Sequence, residues 1–434
     1  MQYTNLQQTD QRLYRSLLRG EFGIEKESMR VDESGHLAET SHPQGLGAHI
    51  SRDFGEGQVE FISGVYDDLN DACEEFCALQ KEVEDAIQEE EYMWTYSNPP
   101  LFGTEQNIRI AEFDGGGEEK TAYRNYLAEK YGKVKMLFSG VHLNYSMPQE
   151  FFELLQRKMP DRDLSEIRSE WYVKLCDALM SDSWLIVALT SASPVADAGF
   201  LKALGVPKEE WEAYASFRNS RYGYWNLFLP ELSYESFSSY LESIERYIKQ
   251  GKIRSIQELY YPIRLKPAGE NSLFHLKESG VNHIELRMLD LNPMCCAGVA
   301  KQDLVFIHLL IAFRTAELLH FCNGPKRRFD DRTHTPERAR LLLHKEAARI
   351  DFWEEQKACR AYAYGLLQDM KKFFGAYEMQ TDAYVPSDYA VMEALTREEQ
   401  KILNPSLRYA NKIRRQCRMD DYIGARMREI KSGL

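Results

Sequence analysis

Four short segments of the chain carry polar or charged side chains two residues apart, within runs that otherwise read as apolar β-strand. In a strand, successive side chains alternate between the two faces, so residues i and i+2 project to the same side. Each segment therefore offers two chemically competent groups to one side and apolar residues to the other. The pairs are Glu25 and Glu27, His142 and Asn144, Arg264 and Lys266, and Glu285 and Arg287.

One such pair alone is more often the solvated face of a strand than a ligand set. Four pairs in one chain, with Asp53 and Glu60 between the first two in RDFGEGQVEFI, favour a common site instead. Carboxylates gathered closely repel one another, and divalent cations relieve that repulsion. Oxygen ligands with one imidazole suit Mg²⁺ or Mn²⁺. We therefore expect the following side chains to bind metal: Glu25, Glu27, Asp53, Glu60, His142 and Glu285.

The other members of the pairs suit anions. Arg264, Lys266 and Arg287 would face the carboxylates from an opposite wall, and arginine recognises carboxylate or phosphate at two points. DGGGEEKT lacks the glycine that precedes the lysine of a Walker A loop, and no G-x-G-x-x-G follows a strand. If the protein uses ATP, metals and side chains on a sheet must hold the phosphates. Asn144, Arg264 and Lys266 are the predicted nucleotide contacts.

The predicted strands come from distant parts of the chain, with helices between them. This order favours an α+β fold, with a mixed or antiparallel sheet and helices on one side, over regular βαβ alternation. We expect one catalytic domain over residues 1–434, with its strands within 20–300 and a helical part at 300–434. The predicted strands are Gly23–Val31, a segment ending at Glu60–Ile62, Val134–Met147, Tyr261–Leu265 and Val281–Leu291, and the predicted helices include Leu13–Leu18, Glu118–Tyr131 and Val299–Phe321.

The overall charge limits the partners. The 434 residues carry a net charge of −13, and the pI near 5.4 argues against a general nucleic-acid binder. Nearly every charged residue between Asp67 and Tyr92 is acidic, which a helix with a solvated acidic face explains most simply. The segment from Arg397 to Leu434 is rich in Lys and Arg, and we expect helices packed on the acidic body there, not contact with RNA or a membrane.

The sequence shows no sign of secretion or membrane insertion. The N-terminus is polar, and the longest apolar run, LVFIHLLIAFRTAELL, contains His308, Arg314 and Glu317. That run is predicted to be a buried helix, and we expect a cytoplasmic protein. The eight cysteines form no C-x-x-C pair and no recognisable disulfide scaffold.

In chain order, five blocks carry a family resemblance: GIEKESMRV, RDFGEGQVEFI, YGKVKMLFSGVHLNYSMP, YYPIRLKP and IELRMLDLNP. Together they resemble the successive motifs of bacterial glutamate–cysteine ligase (γ-glutamylcysteine synthetase), from about Arg19 to about Ala300. The resemblance implies a glutamine-synthetase-like fold, in which a largely antiparallel curved sheet forms a funnel covered by helices.

The resemblance also implies a reaction. ATP would phosphorylate the γ-carboxylate of glutamate, and the amino group of cysteine would then attack the acyl phosphate, in the first step of glutathione biosynthesis. By motif, the metal ligands would be the six side chains already named. Arg287 would contact substrate and phosphoryl group, so that Arg287, Glu285 and His142 would carry the catalysis.

The family's cysteine pocket carries over onto aromatic positions and one arginine, which would bind the carboxylate of the acceptor. An aromatic residue at such a position is a core residue about as often as a pocket wall. The matching residues are Phe54, Tyr123, Leu127, Arg218, Tyr224 and Tyr260.

Two alternatives stay open. The same γ-glutamyl chemistry could use another amine, or the protein could bind metal and nucleotide without turnover. The chain lacks the ATP-grasp portion of fused bifunctional enzymes, so a separate glutathione synthetase is expected downstream. The expected partners are glutamate, cysteine and ATP, without nucleic acid or membrane, and the expected state is a monomer.

Overall fold

The computed structural model describes residues 11–113, 117–320, 334–376, 388–417 and 421–432. Cys322, part of the DGGG turn and a few residues of the basic C-terminal segment lie outside the described residues. Within them, the fold is a mixture of helices and an open antiparallel sheet, which confirms the predicted α+β class.

Seven strands form one sheet in the order β2-β3-β1-β5-β7-β6, and β4 pairs with the far end of β1. All six pairs of neighbouring strands among the described residues are antiparallel. The long first strand pairs with three others, so it organises the sheet. The strands are β1 (Glu21–Asp32), β2 (Ile50–Arg52), β3 (Gln58–Ile62), β4 (Glu91–Trp94), β5 (Gly140–Ser146), β6 (Ile263–Lys266) and β7 (His283–Asp290).

Helices cover the sheet, and most of the C-terminal part is helical. The first three helices are α1 (Gln11–Arg15), α2 (Leu69–Ala86) and α3 (Glu118–Tyr131). The middle of the chain supplies α4 (Gln149–Gln156), α5 (Leu164–Met180), α6 (Ser183–Thr190), α7 (Ala198–Ala203), α8 (Phe237–Lys249) and α9 (Leu273–Ser279). The C-terminal part supplies α10 (Lys301–Leu318), α11 (Pro336–Ala347), α12 (Phe352–Glu355), α13 (Lys357–Gly375), α14 (Asp388–Leu403), α15 (Tyr409–Gln416) and α16 (Tyr422–Ser432).

The face of β1 that points away from the charged pairs packs on α2. Lys26 lies between Glu25 and Glu27 in sequence, and its side chain is buried on this opposite face. Its ammonium lies 4.8 Å from the centre of the Phe61 ring and donates a 2.7 Å hydrogen bond to Gln80 of α2. Burial lowers the pKa of Lys26 to about 8. The alternation of faces predicted for this strand is therefore present.

One predicted strand is wrong over its first half. Residues 134–139 lie outside any strand, a 3₁₀ turn occupies Lys135–Leu137, and the strand starts only at Gly140. Val134, Met136, Leu137 and Phe138 are all buried. From sequence, a short apolar run buried at nearly every position cannot be distinguished from a buried strand, and here it forms a 3₁₀ turn instead. The short strands β2 and β4 were not predicted.

The two charged segments behave as expected. Helix α2 buries Leu69, Phe76 and Val83, and its acidic side chains face outward. In the basic segment, Lys401 is buried and lies 2.9 Å from Asp303, and Arg408 lies 3.0 Å from Glu354. The described part of this segment is thus helical and packed on acidic residues, as predicted.

Among the described residues, no helix is both long enough and apolar enough to cross a membrane.

Candidate active site

Strand register brings the sequence-predicted pairs onto one surface. Glu25 on β1 lies opposite His142 on β5, and Glu27 lies opposite Glu60 on β3. Farther along the sheet, Asn144 on β5 lies opposite Glu285 on β7. Directly opposed residues in an antiparallel pair project to the same face, so these groups share one wall of the sheet.

The first group of side chains is the histidine cluster, formed by Glu25, His142 and Glu285. One ligand atom from each of the three residues lies within 4.8 Å of the other two. The Nδ1 atom of His142 is 3.3 Å from a carboxylate oxygen of Glu25 and 3.9 Å from one of Glu285. Asn144 donates a 3.0 Å hydrogen bond to the other oxygen of Glu25.

Three cations surround Glu285, whose side chain is fully buried. The Nε atom of Arg264 donates to it at 2.6 Å and Arg287 donates at 2.9 Å, while the ammonium of Lys266 lies 3.6 Å away. Burial raises the pKa of Glu285, but the three cations and His142 outweigh burial and hold that pKa well below its usual range. Glu285 is therefore a permanent anion.

The second group is the acidic cluster, Glu27, Asp53 and Glu60, whose charges influence one another. Among the described residues, only the histidine cluster brings three possible ligand atoms within 4.8 Å of one another. Burial and the neighbouring charge of Asp53 raise the pKa of Glu27 to about 8. Burial and the charges of Asp53, Glu25 and Glu27 also raise the pKa of Glu60 well above its usual value. Burial raises the pKa of Asp53 despite the nearby Arg124. Glu27 accepts a 3.0 Å hydrogen bond from the backbone of Gly140. The protein alone does not compensate the charge of this cluster.

His142 joins the two clusters. The Nδ1 atom faces both a carboxylate oxygen of Glu25 at 3.3 Å, which needs a donor, and the guanidinium of Arg287 at 3.4 Å, which needs an acceptor. In the tautomer with the proton on Nδ1, which serves the shorter of these contacts, Nε2 carries a lone pair. That Nε2 atom is buried, has no hydrogen-bond partner, and lies 3.7 Å from an oxygen of Glu27. Burial and Arg287 lower the pKa of His142 to about 4, so the ring is neutral at neutral pH.

This donor set fits a divalent cation. Two electron-pair donors, Nε2 of His142 and an oxygen of Glu27, face each other without a proton between them in the ionised state. The pKa values of Glu27, Asp53 and Glu60 are raised first by burial and then by neighbouring carboxylates, and a bound cation would favour the ionised forms against both. Carboxylate oxygens with one imidazole are suited to Mg²⁺ or Mn²⁺.

A β-bulge aims Arg287 at the histidine cluster. The pairing of β5 with β7 shifts between Val141, which lies opposite Leu289, and Leu143, which lies opposite Leu286. Two residues of β7, Arg287 and Met288, thus oppose the single residue His142. The backbone N–H of Arg287 donates a 2.9 Å hydrogen bond to the backbone oxygen of Pro262. The guanidinium of Arg287 lies 3.4 Å from Nδ1 of His142.

Two of the predicted nucleotide contacts have roles inside the site wall. Besides its bond to Glu285, Arg264 donates to the backbone oxygen of Gln257 at 3.2 Å, and its side chain is 8% exposed. This geometry makes Arg264 a support for Glu285. Asn144 is likewise engaged by Glu25, while Lys266 is the more open of the two cations on β6.

The predicted acceptor residues divide into two sets. Arg218, Tyr224 and Tyr260 line one small cavity together with Arg287. The rings of Tyr224 and Tyr260 are 4.3 Å apart. The guanidinium of Arg218 occupies the space beside Gly140, where any Cβ would lie 2.3 Å from it. The remaining three do not line this cavity: Phe54 and Leu127 are buried, and Tyr123 stacks on Tyr126.

Sequence reasoning missed several residues around the site. Arg124 donates to the backbone oxygens of Asp53 and Arg52, and thereby holds the loop of the acidic cluster. Asp290, at the end of β7, accepts 2.8 Å and 2.9 Å hydrogen bonds from Ser193 and Ser216. The only sequence signal for Arg124 was its place next to Tyr123. The contacts of Asp290 span long sequence distances and leave no local pattern.

Two solved proteins share this fold. The bifunctional glutathione synthetase from Pasteurella multocida superimposes with a TM-score of 0.79 at 25% identity, and the match covers 97% of this chain and 53% of that chain. The glutamate–cysteine ligase from Francisella tularensis, solved in complex with AMP, gives a TM-score of 0.79 at 21% identity, covering 95% of this chain and 88% of that one. The chain therefore has the fold of these ligases.

Sequence comparison identifies the family. The family model described as glutamate-cysteine ligase matches residues 5–320. The glutathione biosynthesis bifunctional protein of Listeria monocytogenes serotype 4b is 32% identical over 98% of this chain and 55% of its own length. The protein of the same name from Clostridium perfringens is 36% identical over 70% of this chain and 41% of its own length. The chain belongs to the glutamate–cysteine ligase family, and it spans about half the length of the curated relatives it matches.

Proposed function

We propose that this protein joins L-glutamate to L-cysteine with ATP, forming γ-glutamylcysteine through γ-glutamyl phosphate, in the first step of glutathione biosynthesis. The observation that carries the proposal is the single wall on which the histidine cluster and the acidic cluster adjoin Arg287. Phosphoryl transfer needs little covalent help from a protein, because positioning and charge stabilisation supply most of the catalysis.

Each group of side chains on this wall has a part in the proposed reaction. Glu25, Glu27, Asp53, Glu60, His142 and Glu285 would hold Mg²⁺, or Mn²⁺. Bound cations would neutralise phosphate oxygens of ATP during transfer. Lys266 extends from the same wall and offers an ammonium to the nucleotide phosphates. Arg287, held in place by Glu285 at 2.9 Å, would donate to the transferring phosphoryl group as its charge develops.

The acceptor would enter from the cavity beside Arg287. Arg218 is 6% exposed, and burial lowers the pKa of its guanidinium without removing the charge. It would bind the carboxylate of the incoming amino acid, and Tyr224 and Tyr260 would enclose the small side chain. This places the amine of the acceptor on the Arg287 side of the site, where the acyl phosphate would form.

The direct test measures ADP release with glutamate, ATP and Mg²⁺, across cysteine and a panel of other amines. Hydroxylamine is added separately, since it converts an acyl phosphate into a stable hydroxamate. The proposal expects ADP release that depends on cysteine and γ-glutamyl hydroxamate when hydroxylamine replaces it. A strong preference for another amine would keep the donor chemistry and change the acceptor. Tight Mg-ATP binding without turnover on any acceptor would overturn the proposal.

A matched pair of variants on β1 separates site from scaffold. Glu25→Gln removes a carboxylate of the histidine cluster and is expected to lower kcat by roughly 100- to 1,000-fold or more. Glu21→Gln changes an exposed residue on the same strand that contacts Ser146, and it should leave kcat near the wild-type value. Substantial activity in Glu25→Gln would argue against its proposed metal role.

The finer surroundings of the reaction also belong to the proposal. All six proposed metal ligands come from one chain, so a monomer would suffice, which sedimentation would test. ATP is available in the cytoplasm, the proposed location, and fractionation of cells tests that point. A glutathione synthetase activity would consume the product.

A further inference from the structure

The small cavity beside Arg287 has a second wall that the family match does not include. His344 lies on α11, beyond residue 320 where the match ends, and it lines the cavity together with Asn219. Helix α11 starts after its cap, Thr335, and an ion pair of 2.7 Å between Arg340 and Asp177 fixes it to α5. The C-terminal helical part thus reaches into the site.

The hydrogen bonds of Asn219 define the tautomer of His344. The Nδ2 atom of Asn219 donates to the backbone oxygen of Met288 at 2.9 Å and to Ser216 at 3.0 Å. Its Oδ1 atom is then the acceptor that faces Nε2 of His344, 3.3 Å away. Since an amide oxygen cannot donate, Nε2 must carry the proton, and Nδ1 is left with a lone pair.

This lone pair has no use within the protein. His344 is fully buried, and its Nδ1 atom has no hydrogen-bond partner among the described residues. Burial, with the nearby Lys345 and Arg218, lowers the pKa of His344 to about 3. The ring is therefore neutral, and its Nδ1 atom is an acceptor without a donor. A buried polar atom left unpaired is costly, so an unused acceptor at a cavity wall points to a ligand that supplies the donor.

The size of the cavity limits that ligand. Its volume is about 30 Å³, which is room for about two water-sized groups. That volume accommodates the methylene and thiol of cysteine, and because the cavity is half open the rest of the amino acid would extend out of it. Arg218 at the same cavity would hold the carboxylate of the amino acid, and its amine would attack the acyl phosphate. The S–H group is then the donor of cysteine that is left for His344.

We propose that His344 is a specificity-determining residue, whose Nδ1 atom accepts a hydrogen bond from the thiol of the cysteine acceptor. This inference rests on the proposed ligase function and deepens it. It assigns the preference for cysteine over an acceptor with a methyl group in place of the thiol to a residue of the C-terminal helical part.

The test compares two nearly isosteric acceptors, L-cysteine and L-2-aminobutyrate, through the ratio of their kcat/KM values. His344→Phe and His344→Met both fill the space without an Nδ1 acceptor, and two variants are made so that the result does not depend on one of them folding. A neutral hydrogen bond contributes modestly, so the ratio should fall about 2- to 10-fold, mainly through KM for cysteine. KM for ATP and glutamate should change little.

His308→Phe is the matched control. His308 is also fully buried, on α10, with both ring nitrogens unpaired among the described residues, and it packs between Phe22 and Tyr145, away from the cavity. Its substitution should leave the ratio unchanged. If the His344 variants lower kcat/KM for both acceptors equally, His344 has a structural role only and the inference is wrong.

A measurement on the wild-type protein covers the case in which neither variant folds. Cysteine, but not 2-aminobutyrate, should shift the ¹⁵N resonance of one unprotonated Nδ1 atom in the imidazole-labelled protein. Equal responses to both acceptors, or none, would overturn the inference. The ligase proposal fails separately, if the wild-type enzyme shows no cysteine-dependent ADP release at all.

Discussion

Glu25 and Glu27 stand two residues apart on one strand and face the same site, yet their acidities differ widely. The pKa of Glu25 is lowered to about 2, because the hydrogen bond from His142 and the charge of Lys266 outweigh burial and the repulsion of Glu285. The pKa of Glu27 is raised to about 8 by burial and by Asp53, despite Arg218 and Arg287. The cations around the histidine cluster outweigh burial and repulsion, whereas those near the acidic cluster, Arg124, Arg218 and Arg287, do not.

This contrast separates two tasks that a metal-dependent phosphoryl site must perform. The compensated cluster keeps its geometry whether or not a cation is bound, and so it can hold Arg287 in place. In the acidic cluster, the buried carboxylates repel one another when ionised, and binding of a cation reduces that repulsion. We infer that the acidic cluster dominates the dependence of the protein on metal, and that the histidine cluster dominates its preorganisation.

The largest effect, on the free energy of unfolding, is expected when a cation that pairs with Glu285 is removed. Arg264→Leu leaves the fully buried Glu285 without its 2.6 Å partner. Breaking a buried ion pair from one side costs about 3–5 kcal/mol, so the free energy of unfolding should fall by about that amount. Lys266→Met is the control, because Lys266 is 3.6 Å from Glu285 and makes no hydrogen bond to it, and its effect should be about 1 kcal/mol. Urea unfolding measures both, and equal losses would contradict the assigned support role.

A second experiment should give opposite signs for the two glutamates in metal-free protein at pH 9. Glu27→Gln removes a carboxylate whose ionised form is disfavoured in the folded protein, and should raise the free energy of unfolding by roughly 1–3 kcal/mol. Glu25→Gln removes a carboxylate that accepts from His142 and Asn144, and should destabilise it by roughly 1–3 kcal/mol. Thermal unfolding in the presence of a chelator gives both values. The same sign for both variants would end the distinction between the clusters.

A smaller effect concerns the support of the acidic cluster. Arg124→Met removes the guanidinium that donates to the backbone of Asp53. The concentration of Mg²⁺ that gives half-maximal activity should then rise about 10-fold, as for other residues that orient metal ligands, with a lesser effect on kcat. Lys120→Met, one turn earlier on α3 and also near the Phe113 ring, is the control and should not change it. A loss of kcat alone would place Arg124 elsewhere in the mechanism.

The smallest effect is a pH dependence. Glu27 must lose its proton to bind a cation, and with a pKa of about 8 it is mostly protonated at pH 6.5. The rise in Tm caused by a fixed concentration of Mg²⁺ should therefore be larger at pH 8.5 than at pH 6.5. In metal-free protein the sign is reversed, since a carboxyl group whose pKa is raised by folding costs stability as pH rises from about 4.5 to about 8. A Tm shift independent of pH would mean that Glu27 does not compete with metal for a proton.

The faces of the strands were predictable from the sequence, and their partners were not. Period-two spacing placed Glu25 and Glu27 together, and Lys26 lies on the other face as that spacing requires. The pairing of Glu25 with His142 depends on contacts 117 residues apart, for which only the family resemblance offered a guide. Residues 134–139 were wrongly predicted as strand because a short, mostly buried apolar run has the same sequence pattern whether it forms a buried strand or a turn.

The candidate site shows the same limit. The charged pairs were found because each pair is local in sequence. The bulge at Arg287 and Met288 could not be found, because it exists only in the pairing of two strands. The contact of His344 with Asn219 joins residues 125 positions apart, and a buried neutral histidine on a helix looks like any core residue. The proposed roles of the site residues remain predictions for the experiments above.

The burial of Lys26 has a consequence for how β1 finds its partners during folding. If β1 slipped by one residue against β3 and β5, its faces would exchange. The ammonium of Lys26 would enter the carboxylate wall, and Glu25 and Glu27 would be buried against the rings of Phe61 and Phe76, where burial of a carboxylate is costly. The alternating acid–lysine–acid sequence thus destabilises any pairing of β1 that is shifted by one residue in either direction. The strand that bears the proposed metal ligands therefore also disfavours its own misaligned pairing.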